Sequence, residues 1–126
     1  MSFKEYLGHD LKRSLFPSAA TGFGAGIGRE GFVCGALLGA IMAIGMKFGR
    51  TDPKDVASEE KVNKKCITFW DLFEKEFGSN LCCDIIHSHL HNEADRQKWL
   101  VSCGMGKCAD IVEKTSQLLC EFIEDR

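Results

Sequence analysis

Eleven residues near the N-terminus, Thr21 to Gly31, include five glycines, and seventeen almost entirely apolar residues follow them directly. Glycine at this density destabilises the interior of helices and strands, so the sequence predicts a tight, irregular loop. The apolar run from Phe32 to Phe48 carries one charge, Lys47, close to its end. It predicts a buried helix at the centre of the fold.

The same run is the segment of this chain that most resembles a transmembrane helix. A spanning helix needs about 20 apolar residues, and this run is shorter. Gly31, Gly35 and Gly39 repeat every four residues, a spacing that lets another helix approach closely and is also typical of membrane helix pairs. Because the rest of the chain is typical of a soluble domain, we expect a core helix and no stable membrane insertion.

Hydrophobic periodicity predicts helices elsewhere as well, and no segment alternates with the period of two of a half-buried strand. The chain is therefore predicted to be a single all-α domain over residues 1–126, a compact bundle of about five helices with a buried glycine-rich central helix. The other predicted helical segments are Phe3 to Phe16, ended by Pro17; Pro53 to Phe77, capped by Asp52 and stopped by Gly78; Leu81 to Ile86; a short helix within His91 to Met105; and Lys107 to Asp125.

The charge balance excludes one class of partner. Of the 126 residues, 16 are Lys or Arg and 18 are Asp or Glu, which gives a formal net charge of -2. Binding to nucleic acid depends on basic residues that release counterions, and this chain has no basic excess. We therefore expect no nucleic-acid partner.

Seven cysteines indicate where the chemistry is expected. An odd number leaves at least one thiol unpaired, and the charged first residues lack the apolar run of a secretory signal. We therefore expect a reducing, cytoplasmic location, where cysteines are more often metal ligands or redox thiols than disulfide staples. Cys34 lies at the start of the predicted central helix, where free amides and the helix dipole stabilise a thiolate. The alternative is that Cys34 is a small apolar core residue.

The other cysteines differ in their surroundings. Cys82 and Cys83 are adjacent, so on a helix they point about 100° apart and only one of them faces the core. Cys103 and Cys108 are close enough in sequence to bind one metal ion or to pair with each other. The remaining two lie on apolar helical faces and are predicted to be core residues: Cys66 and Cys120.

A histidine-rich run, HSHLH at residues 87–91, is a second candidate for metal binding. If the helix continued through it, Cys83, His87 and His91 would share one stripe, where two consecutive members can chelate a metal. We favour the other interpretation, a solvated polar helix end, because cations are stabilised near the C-terminus of a helix.

The glycine-rich loop also contains a nucleotide-binding pattern. Gly26, Gly28 and Gly31 match GxGxxG. That pattern needs a preceding strand, and here a helix is predicted instead. The glycines are therefore better explained by close packing of the loop.

Three blocks of the chain, in order, resemble a known family: GFGAGIGREGFVCGALLGAIMAIGMKFG, then FWDLFEKEFGSNLC, then CADIV near the C-terminus. They are similar to the C_GCAxxG_C_C family of redox-active proteins, over about Ala20 to Ile123. The CGAxxG element of this chain, Cys34 to Gly39, resembles the central motif of the family. The next family cysteine resembles Cys82, and the last resembles Cys108.

The family has a further cysteine on a helix before the glycine-rich loop, and residues 1 to 20 of this chain contain none. A four-cysteine site of the family type would be one thiol short unless Cys103, Cys66 or Cys83 takes that place. The resemblance implies a small bacterial or archaeal helical protein whose clustered cysteines do redox work or hold an iron–sulfur centre.

Two functions follow as hypotheses. In the first, Cys34, Cys82 and Cys108 converge from three helices, with Cys103 as a fourth member. They then bind zinc or an iron–sulfur cluster. Without metal, they exchange disulfides with an unknown redox partner, with Cys34 as nucleophile and Cys82 or Cys108 as resolving thiol. In the second hypothesis the cysteines are core residues of a helical binding or assembly module, whose glycine face packs helices in a homodimer. A nucleotide-binding enzyme ranks third.

Overall fold

The computed structural model describes residues 15–102 and 104–124. Within these ranges the fold is all-α, as predicted, with six α-helices, one 3-10 turn at Thr21–Phe23 and no strand. No helix in the same ranges is long and apolar enough to cross a membrane. The helices, numbered in chain order, are α1 (Leu15–Ala20), α2 (Gly35–Phe48), α3 (Val56–Phe77), α4 (Cys82–Ile86), α5 (Glu93–Val101) and α6 (Gly104–Glu124).

The core lies where the three longest helices, α2, α3 and α6, pack against one another. Its largest fully buried side chains are Leu37 and Ile44 on α2 and Phe69 and Phe73 on α3. Phe122 on α6 meets Phe69 edge to face, with ring centroids 5.5 Å apart. Full burial of such a side chain contributes roughly 1.5–3 kcal/mol, so this cluster holds the three helices together.

Helix α3 begins later than the sequence predicts, because a different aspartate caps it. The carboxylate of Asp52 accepts a hydrogen bond from the Lys54 amide at 2.9 Å, within the preceding turn. Asp55 is the cap, and it accepts from the Ser58 hydroxyl at 2.6 Å and from the Ser58 amide at 3.1 Å. These two hydrogen bonds lower the pKa of the Asp55 carboxyl. Gly78 ends the helix in the left-handed conformation, with φ 81°, as predicted.

The first described helix also differs from its prediction. Helix α1 includes Pro17 and continues to Ala20, so the prediction that Pro17 ends a helix is wrong. Proline has no N–H, but its φ is fixed near the helical value, so the helix can continue through the residues that follow it. The part of the predicted helix before residue 15 lies outside the described residues.

Helix α2 begins at Gly35 and not, as predicted, at Phe32. The three residues before it are not helical, because Val33 forms an isolated antiparallel bridge with Leu81. Phe32 consequently stays 56% exposed. The helix packs against both α3 and α6. Its buried residues are Leu37, Ala40 and Ile44.

The glycine face of α2 was expected to receive another helix, and within the described residues it does not. A Cβ on Gly35 would lie 2.8 Å from the carbonyl oxygen of Phe23, so the 3-10 turn passes there. The same position on Gly39 has no atom within 4 Å. Gly31 precedes the helix and belongs to the loop. The glycine face is therefore partly open.

Helix α4 ends at Ile86, before the histidine-rich run. His87 takes the left-handed conformation, with φ 54°, and this breaks the helix. Cys83, His87 and His91 therefore do not share a helical stripe, because the helix does not continue through the run.

Candidate functional site

The contact that positions the site is the bridge between the segments that precede α2 and α4. The Cys34 amide donates to the Asn80 carbonyl at 2.8 Å, and the Cys82 amide donates to the Phe32 carbonyl at 2.6 Å. With this pattern, residues 34 and 82 project from the same side of the bridge as diagonal neighbours, with Cα atoms about 7–8 Å apart. The bridge thus places Cys34, the cap of α2, beside Cys82, the first residue of α4.

The glycine-rich loop packs directly against this bridge. Residues Ala25–Arg29 all have positive φ, between 53° and 71°. The Phe32 amide donates to the Gly26 carbonyl at 2.9 Å. A Cβ on Gly26 would lie 2.7 Å from the Cβ of Cys82, so only glycine lets the loop reach this cysteine. Each non-glycine residue in the left-handed conformation costs about 1–2 kcal/mol, which these contacts must offset.

A third thiol, Cys108 on α6, borders the same cavity. The cavity has a volume of about 1060 Å³, and Cys34, Cys82 and Cys108 are all among its lining residues. Sites for small organic molecules usually measure about 300–1,000 Å³, so the space beside the thiols is large enough for such a molecule. Much of the remaining wall is apolar, including Ile85, Ile86, Leu90, Ile111 and Val112.

Burial and mutual repulsion keep two of these thiols protonated at neutral pH. Burial is the main cause that raises the pKa of Cys82 to about 11, and negative charge on Cys34, Cys108 and Cys83 adds to it in that order. The pKa of Cys108 is also raised, first by burial and then by charge on Cys34, against a lowering by Lys107. Negative charge on Cys34 therefore raises the pKa of both other cavity thiols.

Two cysteines proposed as replacements for the missing family thiol do not line this cavity. Cys66 is half-buried on α3, where burial raises the pKa of its thiol. Cys83 is half-buried and packs against Gly31, whose Cβ position would lie 3.0 Å from the Cys83 Cβ. The prediction that only one of Cys82 and Cys83 faces the core is confirmed, since Cys82 is the buried one.

Of the two cysteines that remain, Cys120 is exposed on α6, so the prediction that it is a core residue is wrong. Phe122 is buried instead, and residues two positions apart on a helix point about 200° apart. Cys103, the predicted fourth member of the cluster, lies outside the described residues.

The predicted metal centre has one ligand, Cys103, outside the described residues. Within residues 15–102 and 104–124, no three His, Cys, Asp or Glu side chains are grouped so that they could hold one ion. Zinc and iron–sulfur sites place each cysteine sulfur about 2.3 Å from the metal. Cys34, Cys82 and Cys108 line one cavity without forming such a group, and a zinc or iron–sulfur site that includes Cys103 stays a prediction.

The cavity lining includes two polar side chains that the sequence did not single out. Arg96 and Trp99 lie three residues apart on α5 and line the cavity. The Nε of Arg96 and the Nε1 of Trp99 are buried and have no hydrogen-bond partner among the described residues. An unpartnered buried donor costs about 1–3 kcal/mol. Their spacing alone indicates a shared helix face, but not that this face borders the thiols.

The chain matches a family model over residues 1–122, described as "Putative redox-active protein (C_GCAxxG_C_C)". The chain belongs to this family. No curated protein and no solved structure matches it. The family's description indicates redox activity, and the matched region includes Cys34, Cys82 and Cys108.

Proposed function

We propose that this chain carries out thiol–disulfide exchange in the cavity, with Cys34 as the nucleophile and Cys82 as the resolving thiol. The observation that carries the proposal is the bridge at Val33 and Leu81, which brings both thiols to one face beside a cavity. Family membership supports redox chemistry in general.

The position of Cys34 supports its role as the nucleophile. It is the cap residue of α2, and its side chain makes no capping hydrogen bond. The first amides of a helix and the positive end of its dipole favour a negative charge at this position, and the thiolate is the reactive form of cysteine. Cys82, with its pKa raised mainly by burial, stays protonated at neutral pH and so leaves Cys34 to attack first.

The reaction balances with a disulfide substrate as the oxidant. The Cys34 thiolate attacks one sulfur of a substrate R–S–S–R′, the S–S bond breaks, and R′S⁻ leaves with the electron pair. Cys82, on losing its proton, then attacks the Cys34 sulfur and releases RS⁻. The protons from Cys34 and Cys82 end on the two released thiols. The substrate is reduced to RSH and R′SH, and Cys34 and Cys82 are oxidised to a disulfide.

The geometry favours Cys82 over Cys108 as the resolving thiol. Disulfide partners need Cα atoms closer than about 7 Å, and diagonal neighbours across a bridge are about 7–8 Å apart. Diagonal neighbours across a bridge therefore lie near this limit, which favours Cys82 as the partner of Cys34. Cys108 lies on a separate helix, α6, without a backbone bridge to Cys34 among the described residues.

Trapping of the mixed disulfide tests the assignment. The probe is bis(2-hydroxyethyl) disulfide, and adducts are located by mass spectrometry of the intact protein and its peptides. All variants carry Cys120→Ser, because that thiol is exposed. We expect Cys82→Ser to retain an adduct on Cys34, Cys34→Ser to form no cavity adduct, and the matched control Cys83→Ser to react like the parent.

The other outcomes are equally informative. An adduct that persists in Cys108→Ser and not in Cys82→Ser would assign the resolving role to Cys108. If cavity thiols react equally well with and without Cys34, the proposal is wrong, and the cysteines are core residues of a binding or assembly module.

Alkylation gives a second prediction, which does not depend on a disulfide. Iodoacetamide at near-neutral pH should label Cys34 about tenfold faster than Cys66, because a helix N-terminus favours the thiolate and burial raises the pKa of Cys66. The measurement is the rate of label incorporation at each peptide, repeated with a chelator. Acceleration by the chelator would show that a metal protects Cys34, and equal rates at both cysteines without metal would contradict the prediction.

A further inference from the structure

We infer that Glu74, near the end of α3, is a positioning residue for the exchange, because its carboxylate holds the segment that brings Cys34 beside Cys82. The inference rests on the thiol–disulfide exchange proposed above and adds a residue that acts on it from outside the cavity. Glu74 does not belong to the cavity lining. Its effect on the thiols therefore passes through a second residue, Asn80.

The Glu74 carboxylate joins α3 to the turn that follows it. Its Oε1 accepts a hydrogen bond from the indole Nε1 of Trp70 at 2.9 Å and a second one from the side-chain amide of Asn80. All three side chains are half-buried. Trp70 packs against the hydrophobic core, so its indole fixes the carboxylate relative to α3. A carboxylate acceptor makes both hydrogen bonds charge-assisted, and such bonds are stronger than neutral ones.

Asn80 connects this carboxylate to the thiol pair. Its backbone carbonyl accepts the hydrogen bond of the Cys34 amide at 2.8 Å. The next residue, Leu81, pairs with Val33 in the bridge, and Cys82 follows it as the first residue of α4. A displacement of Asn80 therefore changes the placement of both cysteines. Since a disulfide needs its two cysteines close together and well oriented, such a displacement should make the pair harder to oxidise.

The other side-chain hydrogen bonds of this turn lead towards α4. The Ser79 hydroxyl accepts from the Leu81 amide at 3.0 Å and donates to the Asp84 carboxylate at 3.1 Å. These bonds stabilise the start of α4 and do not reach α3. Among the described residues, the hydrogen bond from Asn80 to Glu74 is the one side-chain hydrogen bond between this turn and α3. Loss of that bond should therefore free the turn to move relative to α3.

The equilibrium of the thiol pair with glutathione tests the inference. The measurement is the fraction of Cys34–Cys82 disulfide, located by peptide mass spectrometry, over a series of ratios of reduced to oxidised glutathione in proteins with Cys120→Ser. Glu74→Ala should lower the equilibrium constant for this disulfide about tenfold, the effect of one charge-assisted hydrogen bond. Glu74→Gln keeps an oxygen that can accept both hydrogen bonds, and it should stay within about threefold of the parent.

Two further variants separate positioning from general stability. Asp55→Ala removes the N-terminal cap of the same helix, so it should destabilise the fold and leave the equilibrium constant unchanged. Asn80→Ala should reproduce the effect of Glu74→Ala, and the double substitution should add nothing, because both residues act through one hydrogen bond. Urea denaturation measures the stability of each variant. An equal loss of the disulfide in Asp55→Ala and Glu74→Ala would overturn the inference.

Hydrogen exchange of the Cys34 amide provides a measurement that needs no disulfide chemistry. This amide donates to the Asn80 carbonyl in the parent, so Glu74→Ala should accelerate its exchange with solvent deuterium about tenfold. The amide of Ile44, in the buried part of α2, is the internal control and should exchange at an unchanged rate.

The two measurements distinguish failure of this inference from failure of the proposed function. A parent that forms no Cys34–Cys82 disulfide, with faster deuterium exchange in Glu74→Ala, would reject the thiol chemistry and retain the hold of Glu74 on the bridge. Unchanged deuterium exchange in Glu74→Ala, or faster deuterium exchange with an unchanged disulfide equilibrium, would overturn the inference and leave the thiol chemistry standing.

Discussion

The two ends of helix α2 differ in how closely they are packed. Towards its C-terminus, Ile44 is fully buried in one cluster with Phe69 and Phe73. At its N-terminus, Cys34 borders a large cavity, and one turn further Gly39 has no neighbouring atom at its Cβ position. The comparison indicates that the C-terminal end is enclosed by core side chains, while the face of the helix around Cys34 leaves room for a ligand beside the cavity thiols.

The ends also differ in backbone conformation. In the loop that packs against Cys82, all five residues of Ala25–Arg29 have the left-handed conformation. Three of these five residues are not glycine, and their side chains disfavour this conformation. At the C-terminal end the cap residue, Gly49, has an unstrained φ of -69°, and three lysine ammonium groups lie 4.3–5.5 Å from the Phe48 ring centroid. Cations are favoured near a helix C-terminus and over an aromatic face. Strain is therefore concentrated at the thiol end.

The largest expected effect comes from a matched pair of substitutions, one in the core and one beside the cavity. Ile44→Ala should lower the free energy of unfolding by about 4 kcal/mol, because Ile44 is enclosed by other side chains. Ile86→Ala should cost about 2 kcal/mol, because Ile86 already borders the cavity and loses fewer contacts. Urea denaturation measures both values. Equal costs would mean that the thiol end is packed as tightly as the core.

The second effect is a loss of stability at alkaline pH, caused by the titration of Cys82. Its thiol has a pKa of about 11 in the folded protein against an ordinary value of 9.0, so above pH 9 the unfolded chain loses a proton that the folded chain keeps. Stability should therefore fall between about pH 9 and 11, by roughly 2–3 kcal/mol at 1.36 kcal/mol per pKa unit. The measurement compares this fall in the parent and in Cys82→Ala, where it should be smaller by that amount. An identical fall in both would contradict burial of the thiol.

The smallest expected effect concerns the glycine face. Gly35→Leu should lower the free energy of unfolding by about 1–3 kcal/mol, because its Cβ would lie 2.8 Å from the Phe23 carbonyl oxygen. Gly39→Leu is the matched control and should change stability by no more than about 0.5 kcal/mol, since its Cβ position is open. Thermal and urea denaturation measure both. Unchanged stability in Gly35→Leu would show that the turn does not pack closely on α2.

Several structural features that depend on a single segment of the chain were predicted correctly. Gly78 ends α3, and the density of glycine before α2 produces an irregular loop. The family blocks pointed to Cys34, Cys82 and Cys108, and all three line one cavity. The start of α2 was predicted too early because Val33 pairs with Leu81, a residue from another part of the chain. Helical periodicity carries no information about such a pairing.

The sequence by itself determined the all-α class, the position of the glycine-rich loop and the family to which the chain belongs. These features depend on residue spacing and on motifs read along the chain. The tertiary structure alone decided that Cys34 and Cys82 share one side of a bridge, and that Arg96 and Trp99 border the same cavity without partners. Backbone hydrogen bonds between distant segments and the packing of α5 and α6 create these relations, and neither leaves a periodic signal in the sequence.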